Sequence, residues 1–372
     1  MKTIVVSAVN LTVGGTLTIL RDCLQYLSIL SEGNEYRIVA LVHRKAPVYY
    51  PNIEYVEMQW PKRTWLGRLW CEYVIMKRIS RELAPVYLWF SLHDTTPAVI
   101  AERRAVYCHN PFPFYKWRAR EWLFTPKIVL FSLFSKWIYK INIHRNSRIV
   151  VQQQWIKEAF VNWFHLIRET VIVAPPSGGD SLNKDKEKIR NRIEQASRYI
   201  FFYAASANSH KNFECLCEAA KILQDRLGDN MFEIFITVKG NENGYARWLF
   251  RKWGGISSLK FIGFQDQVKL YDLYRRADCL VFPSKVETWG LPITEFAEFH
   301  KPMLLADLPY AYETASGCDL VCFFNPDNSL QLADRMEDLI HGTNSCLHKV
   351  KNTQLESPVA FSWHELFTLL LE

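Results

Sequence analysis

The chain has 372 residues, of which 49% are hydrophobic and 22% charged. That length suits about two domains, and that composition can bury sizeable cores, which excludes global disorder and a small disulfide-stapled scaffold. The formal net charge is +7, unevenly spread. Residues 1–175 hold 23 Lys/Arg against 12 Asp/Glu, a net of +11, and the remainder carries −4, so the two halves call for different partners.

Residues 3–9 (Thr-Ile-Val-Val-Ser-Ala-Val) form a β-branched run that predicts a buried parallel strand. A loop with Gly14-Gly15 follows, and then Leu17, Ile19, Leu20, Leu24, Leu27 and Leu30 recur at helical spacing. Further strands are predicted at 36–43, 86–92, 105–108 and 148–152, with helices between them. Pro175-Pro176-Ser177-Gly178-Gly179 is the best linker. Beyond it the pattern restarts, with strands at 199–203, 232–238, 259–262, 279–282 and 302–306. Such alternation predicts an α/β fold of two doubly wound, Rossmann-like domains facing across a cleft, with ligands at the carboxyl ends of the strands.

The nine cysteines are odd in number and include no Cys-x-x-Cys, which points to reduced thiols rather than bridges or a zinc site. No signal-peptide pattern opens the chain, and its apolar runs fall far short of the about 20 residues of a membrane span. The expected location is cytoplasmic.

The densest chemistry lies in Val281-Phe282-Pro283-Ser284-Lys285-Val286-Glu287-Thr288-Trp289-Gly290-Leu291-Pro292-Ile293-Thr294-Glu295. A strand ends at Pro283, a loop carries Glu287, Gly290 permits close backbone approach, and Pro292 suits the first turn of a helix. Two carboxylates eight residues apart thus meet at one strand end beside helix N–H groups, which attract phosphate, while carboxylates accept from sugar hydroxyls. Spacing alone leaves open a structural role, with Glu295 favouring the helix dipole and Glu287 solvated.

This segment resembles the glutamate-x7-glutamate motif of the family 4 (group 1) glycosyltransferases of the GT-B fold: Ala277-Asp278, Pro283-Ser284, Glu287, Trp289-Gly290-Leu291 and Glu295 match. The resemblance implies that Glu287 contacts the donor hexose and Glu295 the ribose diol, with the amides of Gly290 and Leu291 facing sugar and diphosphate. Thr288 stands where the family has Gly, and Phe296 where it has Ala. The resemblance extends to Tyr203–Asn212, a phosphate-binding turn in which Lys211 matches the family's lysine and Ser206 replaces an arginine. It also reaches Phe261-Ile262-Gly263-Phe264 at the nucleobase and Phe361-Ser362-Trp363 at the last helix, and Glu313 occupies a position where members often carry Glu. In the N-terminal half it places Gly15 near the diphosphate and a strand-end histidine, His109, at the hexose, where it donates to a hydroxyl or shuttles a proton. His93 is its rival. No Asp-x-Asp occurs, which agrees with a site that needs no metal and no cofactor beyond a UDP-sugar donor.

Residues 111–148 hold eight Lys/Arg, one Glu and ten Phe, Tyr or Trp, among them Arg120, Trp122 and Trp137. Basic residues favour anionic surfaces and aromatic rings the bilayer interface, so this stretch predicts peripheral attachment to the inner face of the plasma membrane rather than nucleic-acid binding. Three parts are expected. Residues 1–174 form an acceptor domain with the membrane patch, 175–357 a nucleotide-sugar domain, and 358–372 a helix returning to the first domain.

The chain also resembles the transferases of bacterial O-antigen and capsule gene clusters. That resemblance implies retaining transfer of a hexose, expected to be glucose, to an undecaprenyl-diphosphate-linked saccharide. A nucleotide-sugar 2-epimerase and a non-enzymatic sugar-nucleotide-binding scaffold are the alternatives.

Overall fold

The computed structural model of the chain describes residues 1–12, 14–119, 121–176 and 198–372. Arg120 of the basic-aromatic stretch and Ser177–Gly179 of the expected linker lie outside them. By packing, the chain divides into two units: Met1–Asn110, Phe134–Ser177 and Leu355–Glu372, and Pro111–Leu133 with Gly178–Gln354. The stretch Pro111–Leu133, expected with the first domain, thus packs with the second unit.

The first unit is built on a parallel sheet of β1 (Lys2–Ala8), β2 (Tyr36–Val42), β3 (Ile53–Glu57), β4 (Val86–Ser91), β5 (Arg103–Cys108), β6 (Arg148–Val151) and β7 (Val171–Val173), in the order β3-β2-β1-β4-β5-β6-β7. Alternate residues of β1 serve opposite cores. Ile4, Val6 and Ala8 join Leu20, Leu24 and Leu27 of the helix Gly14–Ser31, whereas Val5 packs with Val39, Met76 and Trp89. Burial on both faces explains why the strand reads as an unbroken apolar run.

The C-terminal residues complete this unit. Phe367 stacks on Tyr26 at 5.4 Å and meets Phe90 edge-on at 5.7 Å. Ser362 caps the helix Trp363–Leu371 by accepting from the Glu365 N–H. The returning chain is held by Lys157, a fully buried lysine whose Nζ donates to the carbonyls of Glu356 (3.0 Å) and Ser357 (2.9 Å).

The second unit carries β8 (Tyr199–Tyr203), β9 (Phe232–Ile236), β10 (Leu259–Phe261), β11 (Cys279–Phe282), β12 (Met303–Ala306) and β13 (Val321–Phe324), all parallel, in the order β10-β9-β8-β11-β12-β13. In both sheets the strand order reverses beside the first strand, between β1 and β4 and between β8 and β11. Such reversals open a crevice at the carboxyl ends of the strands.

Candidate functional site

In the second unit β8 and β11 are hydrogen-bonded neighbours, with Phe201 opposite Cys279 and Phe202 opposite Leu280. The segments leaving their carboxyl ends are tied together. The Lys285 N–H donates to the His210 carbonyl at 2.8 Å. Asn212, in the left-handed region at φ 57°, donates its amide to the carbonyls of Pro283 (3.0 Å) and Pro326 (2.7 Å). Tyr203 on β8 donates to the Lys211 carbonyl at 2.7 Å, and Tyr310 donates to that of Ser284 at 2.7 Å. These ties bring together two residues that the sequence had singled out separately: Lys211 Nζ stands 2.5 Å from Glu287 Oε1. Their side chains are only 16% and 12% exposed, and shielding from water strengthens such a charge-assisted contact.

Glu295 follows on the short helix Leu291–Ala297, which begins after Gly290 at φ 95°. A Cβ at Gly290 would stand 3.3 Å from Ile293 Cδ1 and 3.6 Å from Phe282, so both backbone conformation and space call for glycine. Burial pushes the Glu295 carboxyl up from its ordinary value, and the hydroxyl of Tyr274, donating to Oε2 at 2.9 Å, partly offsets this. Thr288 is half-buried. Trp289 is pinned through its indole N–H to Thr294 Oγ1 at 2.8 Å, and its carbonyl accepts from Thr314.

Ser206 is exposed in the loop after β8, and its hydroxyl accepts from the Asn208 amide at 2.8 Å. Ile262 follows β10, its N–H donating to the Ile236 carbonyl at 3.0 Å. Gly263 is left-handed at φ 74°, and Phe264 beyond it is exposed. Asn212 and Tyr274, which orient Lys211 and Glu295, were not read as site residues. A Lys-Asn pair at a strand-to-helix turn is a weak signal for the first, and Tyr274 carries none beyond helical spacing.

In the first unit Gly15 is exposed in the first turn of Gly14–Ser31, and Gly14 rather than Gly15 takes the left-handed backbone, at φ 63°. His109 follows β5. Its backbone N–H donates to Asp94 Oδ1 at 2.7 Å, as does that of Asn110 at 3.0 Å, and its Nε2 lies 3.7 Å from Asp94 Oδ2. Asp94 holds φ 67°, a backbone uncommon outside glycine; it organises this corner. His93 is fully buried, with no hydrogen-bond partner at either ring nitrogen, and burial pushes its pKa well below 6.5.

Within residues 111–148, Tyr115 and Tyr139 are buried. The helix Pro126–Lys140 instead exposes Leu130, Leu133, Phe134 and Trp137, with Ile141 just beyond, a stripe at helical spacing. Lys127, Lys136 and Lys140 are exposed on the same helix. Among the described residues no helix is long and apolar enough to cross a membrane. All nine cysteines are free thiols, seven of them buried.

Residues 185–355 match the family model for glycosyl transferases group 1. The O-antigen chain mannosyltransferase RfbU of Salmonella typhimurium is 22% identical over 240 residues, 63% of this chain and 60% of that protein; the chain therefore spans less than two thirds of that relative's length. The fold is shared with a glycosyltransferase from Rickettsia africae, at 14% identity and a TM-score of 0.62 over 100% of this chain and 96% of that one. It is also shared with WaaG, a glycosyltransferase involved in lipopolysaccharide biosynthesis, at 15% identity and a TM-score of 0.61 over 93% of each chain. Two Rossmann-like parallel sheets with these neighbours place the chain in the GT-B fold class.

Proposed function

We propose that the chain is a retaining, metal-independent glycosyltransferase of the family 4 type that moves a hexose from a nucleotide-sugar to a lipid-linked saccharide in O-antigen or related lipopolysaccharide synthesis. The observation that carries this reading is the Lys211–Glu287 pair at the strand-order reversal of the second sheet, with Glu295 on the adjoining helix. The group 1 match over residues 185–355 supports the same reading.

The second unit is the nucleotide-sugar domain. When the donor binds, the Lys211 ammonium turns to its diphosphate and Glu287 accepts from hexose hydroxyls. Glu295 accepts from the ribose diol, beside Ile262 and the nucleobase. The amides of Gly290 and Leu291 face the diphosphate, Ser206 adds a hydroxyl there, and Thr288 and Trp289 shape the sugar pocket. Fixed donors at developing charge stabilise the departing group. The acceptor oxygen bonds to the anomeric carbon as the carbon–oxygen bond to the diphosphate breaks, and the hydroxyl proton passes to a diphosphate oxygen. Attack on the same face retains configuration without Glu287 as a covalent nucleophile.

The first unit is the acceptor domain, where His109 and Gly15 are the proposed contributors. Its positive charge suits an undecaprenyl-diphosphate acceptor, and the exposed stripe of Pro126–Lys140 supports peripheral attachment to the cytoplasmic face of an anionic membrane.

Incubation with a panel of nucleotide-sugars, UDP-glucose and GDP-mannose included, together with membrane extract tests the whole reading. Sugar should reach the lipid fraction from one donor. Conversion of a UDP-sugar without any acceptor would instead identify a 2-epimerase, and nucleotide-sugar binding without turnover would identify a scaffold.

A further inference from the structure

A second apolar surface lies in the first unit, outside residues 111–148 in sequence. After the short helical turn Trp60–Arg63, Thr64 caps a helix by accepting from the Gly67 N–H at 3.0 Å. Helix then runs without a break from Trp65 to Glu82, with a π-helical turn at Cys71–Ile75. The first six residues of this helix, Trp65–Trp70, bury none of their side chains, although four of the six are large and apolar. Leu66, Trp70 and Val74, one turn apart, are 79%, 57% and 40% exposed. With Trp60, Leu69 and Tyr73 they line an open apolar groove.

Large apolar side chains left in water at helical spacing need a cover, and the charges around them indicate which. Between residues 58 and 81 six of the charged residues are Lys or Arg, and the only acid is Glu72. Glu72 is buried, accepting from Arg68 at 2.8 Å and from Thr95 at 2.6 Å. Lys62, Arg63 and Lys77 are exposed. Tryptophan beside lysine and arginine is the composition of a helix lying in the headgroup region of a bilayer. A second copy of the chain would bring the same cations to the same seam and repel.

We infer that Trp60–Val74 is a bilayer-docking surface: Leu66, Trp70 and Val74 enter the boundary between headgroups and acyl chains, and Lys62, Arg63 and Lys77 meet anionic headgroups. The inference rests on the proposed action at a membrane-borne acceptor. It adds an anchor distinct from the 111–148 stretch.

Co-sedimentation of the full-length protein with phosphatidylcholine vesicles, with and without phosphatidylglycerol, tests it. The wild type should prefer the anionic vesicles. The Leu66→Ser/Trp70→Ser variant should lose about ten-fold or more in vesicle affinity while keeping its circular dichroism. Lys62→Glu/Arg63→Glu, whose side chains are on the surface, should lose the preference for phosphatidylglycerol. If both variants sediment like the wild type while Phe134→Ser/Trp137→Ser does not, the surface is not an anchor and the membrane reading survives. A wild type that ignores every vesicle defeats both. Self-association of the wild type that disperses in Leu66→Ser/Trp70→Ser, with vesicle binding intact, would assign the groove to a second copy and overturn the inference.

Discussion

Lys211 Nζ and Glu287 Oε1 are 2.5 Å apart across 76 residues of sequence, because neighbouring strands deliver both to one crevice and the Lys285–His210 and Asn212–Pro283 hydrogen bonds lock their loops together. Without donor, each charge satisfies the other. Glu287→Gln removes the stronger acceptor for sugar hydroxyls, and Lys211→Met removes the cation for the diphosphate. Each should lower turnover by about 10²–10³. The double variant should be little worse than either single one, since residues acting as a unit are not additive. Steady-state rates with the donor found by the panel, on variants of unchanged circular dichroism, check this; near wild-type turnover in either single variant would move the chemistry elsewhere.

Tyr274 gives Glu295 a pH signature. Burial raises the Glu295 carboxyl and the Tyr274 hydroxyl lowers it. A ribose diol donates hydrogen bonds, so it prefers the ionised carboxylate: donor affinity is present above this pKa and falls as pH drops through it. The raised value brings that fall nearer to neutrality than an ordinary glutamate would. Tyr274→Phe removes the lowering influence, so its midpoint should move to higher pH. Calorimetric titration with nucleoside diphosphate across pH measures both midpoints, and coincident curves would separate Glu295 from the ribose.

Much of this was legible before any coordinates. Central strands such as β1 and β11 are buried on both faces and announce themselves as apolar runs. The strands that the sequence left unread lie toward the sheet edges: β3, whose Glu54 and Glu57 face water, the three-residue β7, and β13. Their short or mixed patterns fit a loop equally well. At the candidate site, Glu287, Glu295 and Lys211 stood out through the resemblance of their segments to a family motif, since spacing alone left a structural role open. The ties that orient them did not, because Asn212 and Tyr274 act through contacts 21 to 114 residues away in sequence, and Asp94 likewise reaches His109 across 15 residues. No local spacing encodes those. The packing of Pro111–Leu133 with the second unit was hidden for the same reason: it depends on the edge-on contact of Phe112 with His210 at 5.1 Å and on the Thr125–Ser209 hydrogen bond at 2.9 Å.

Lys157 should prove a stability residue rather than a functional one. Its ammonium is fully buried and donates to two carbonyls of the returning chain. Lys157→Met keeps the volume but removes two charge-assisted hydrogen bonds, to the carbonyls of a half-buried and an exposed residue, each worth at most about 1.5–3 kcal/mol. Urea unfolding should show a lower midpoint, and limited proteolysis should release the C-terminal helix sooner. Unchanged protection of residues 355–372 would mean that Phe367 and its aromatic neighbours suffice to hold the helix.

Two buried histidines set the acid limit of stability. Burial holds His93 and His210 well below 6.5, so the folded chain keeps both neutral. The unfolded chain takes up those protons near pH 6.5. Below that value the unfolded state binds more protons, and stability falls as pH drops, by up to about 1.4 kcal/mol per pH unit for each histidine. Above it both states are neutral and neither group contributes. His210→Phe keeps an aromatic ring against Phe112 and Tyr115 while removing one titration. The slope of unfolding free energy between about pH 5 and 6.5 should then shrink by up to one histidine's share. An unchanged slope would show that His210 is already protonated in the folded chain, with an anion in reach of its buried Nδ1.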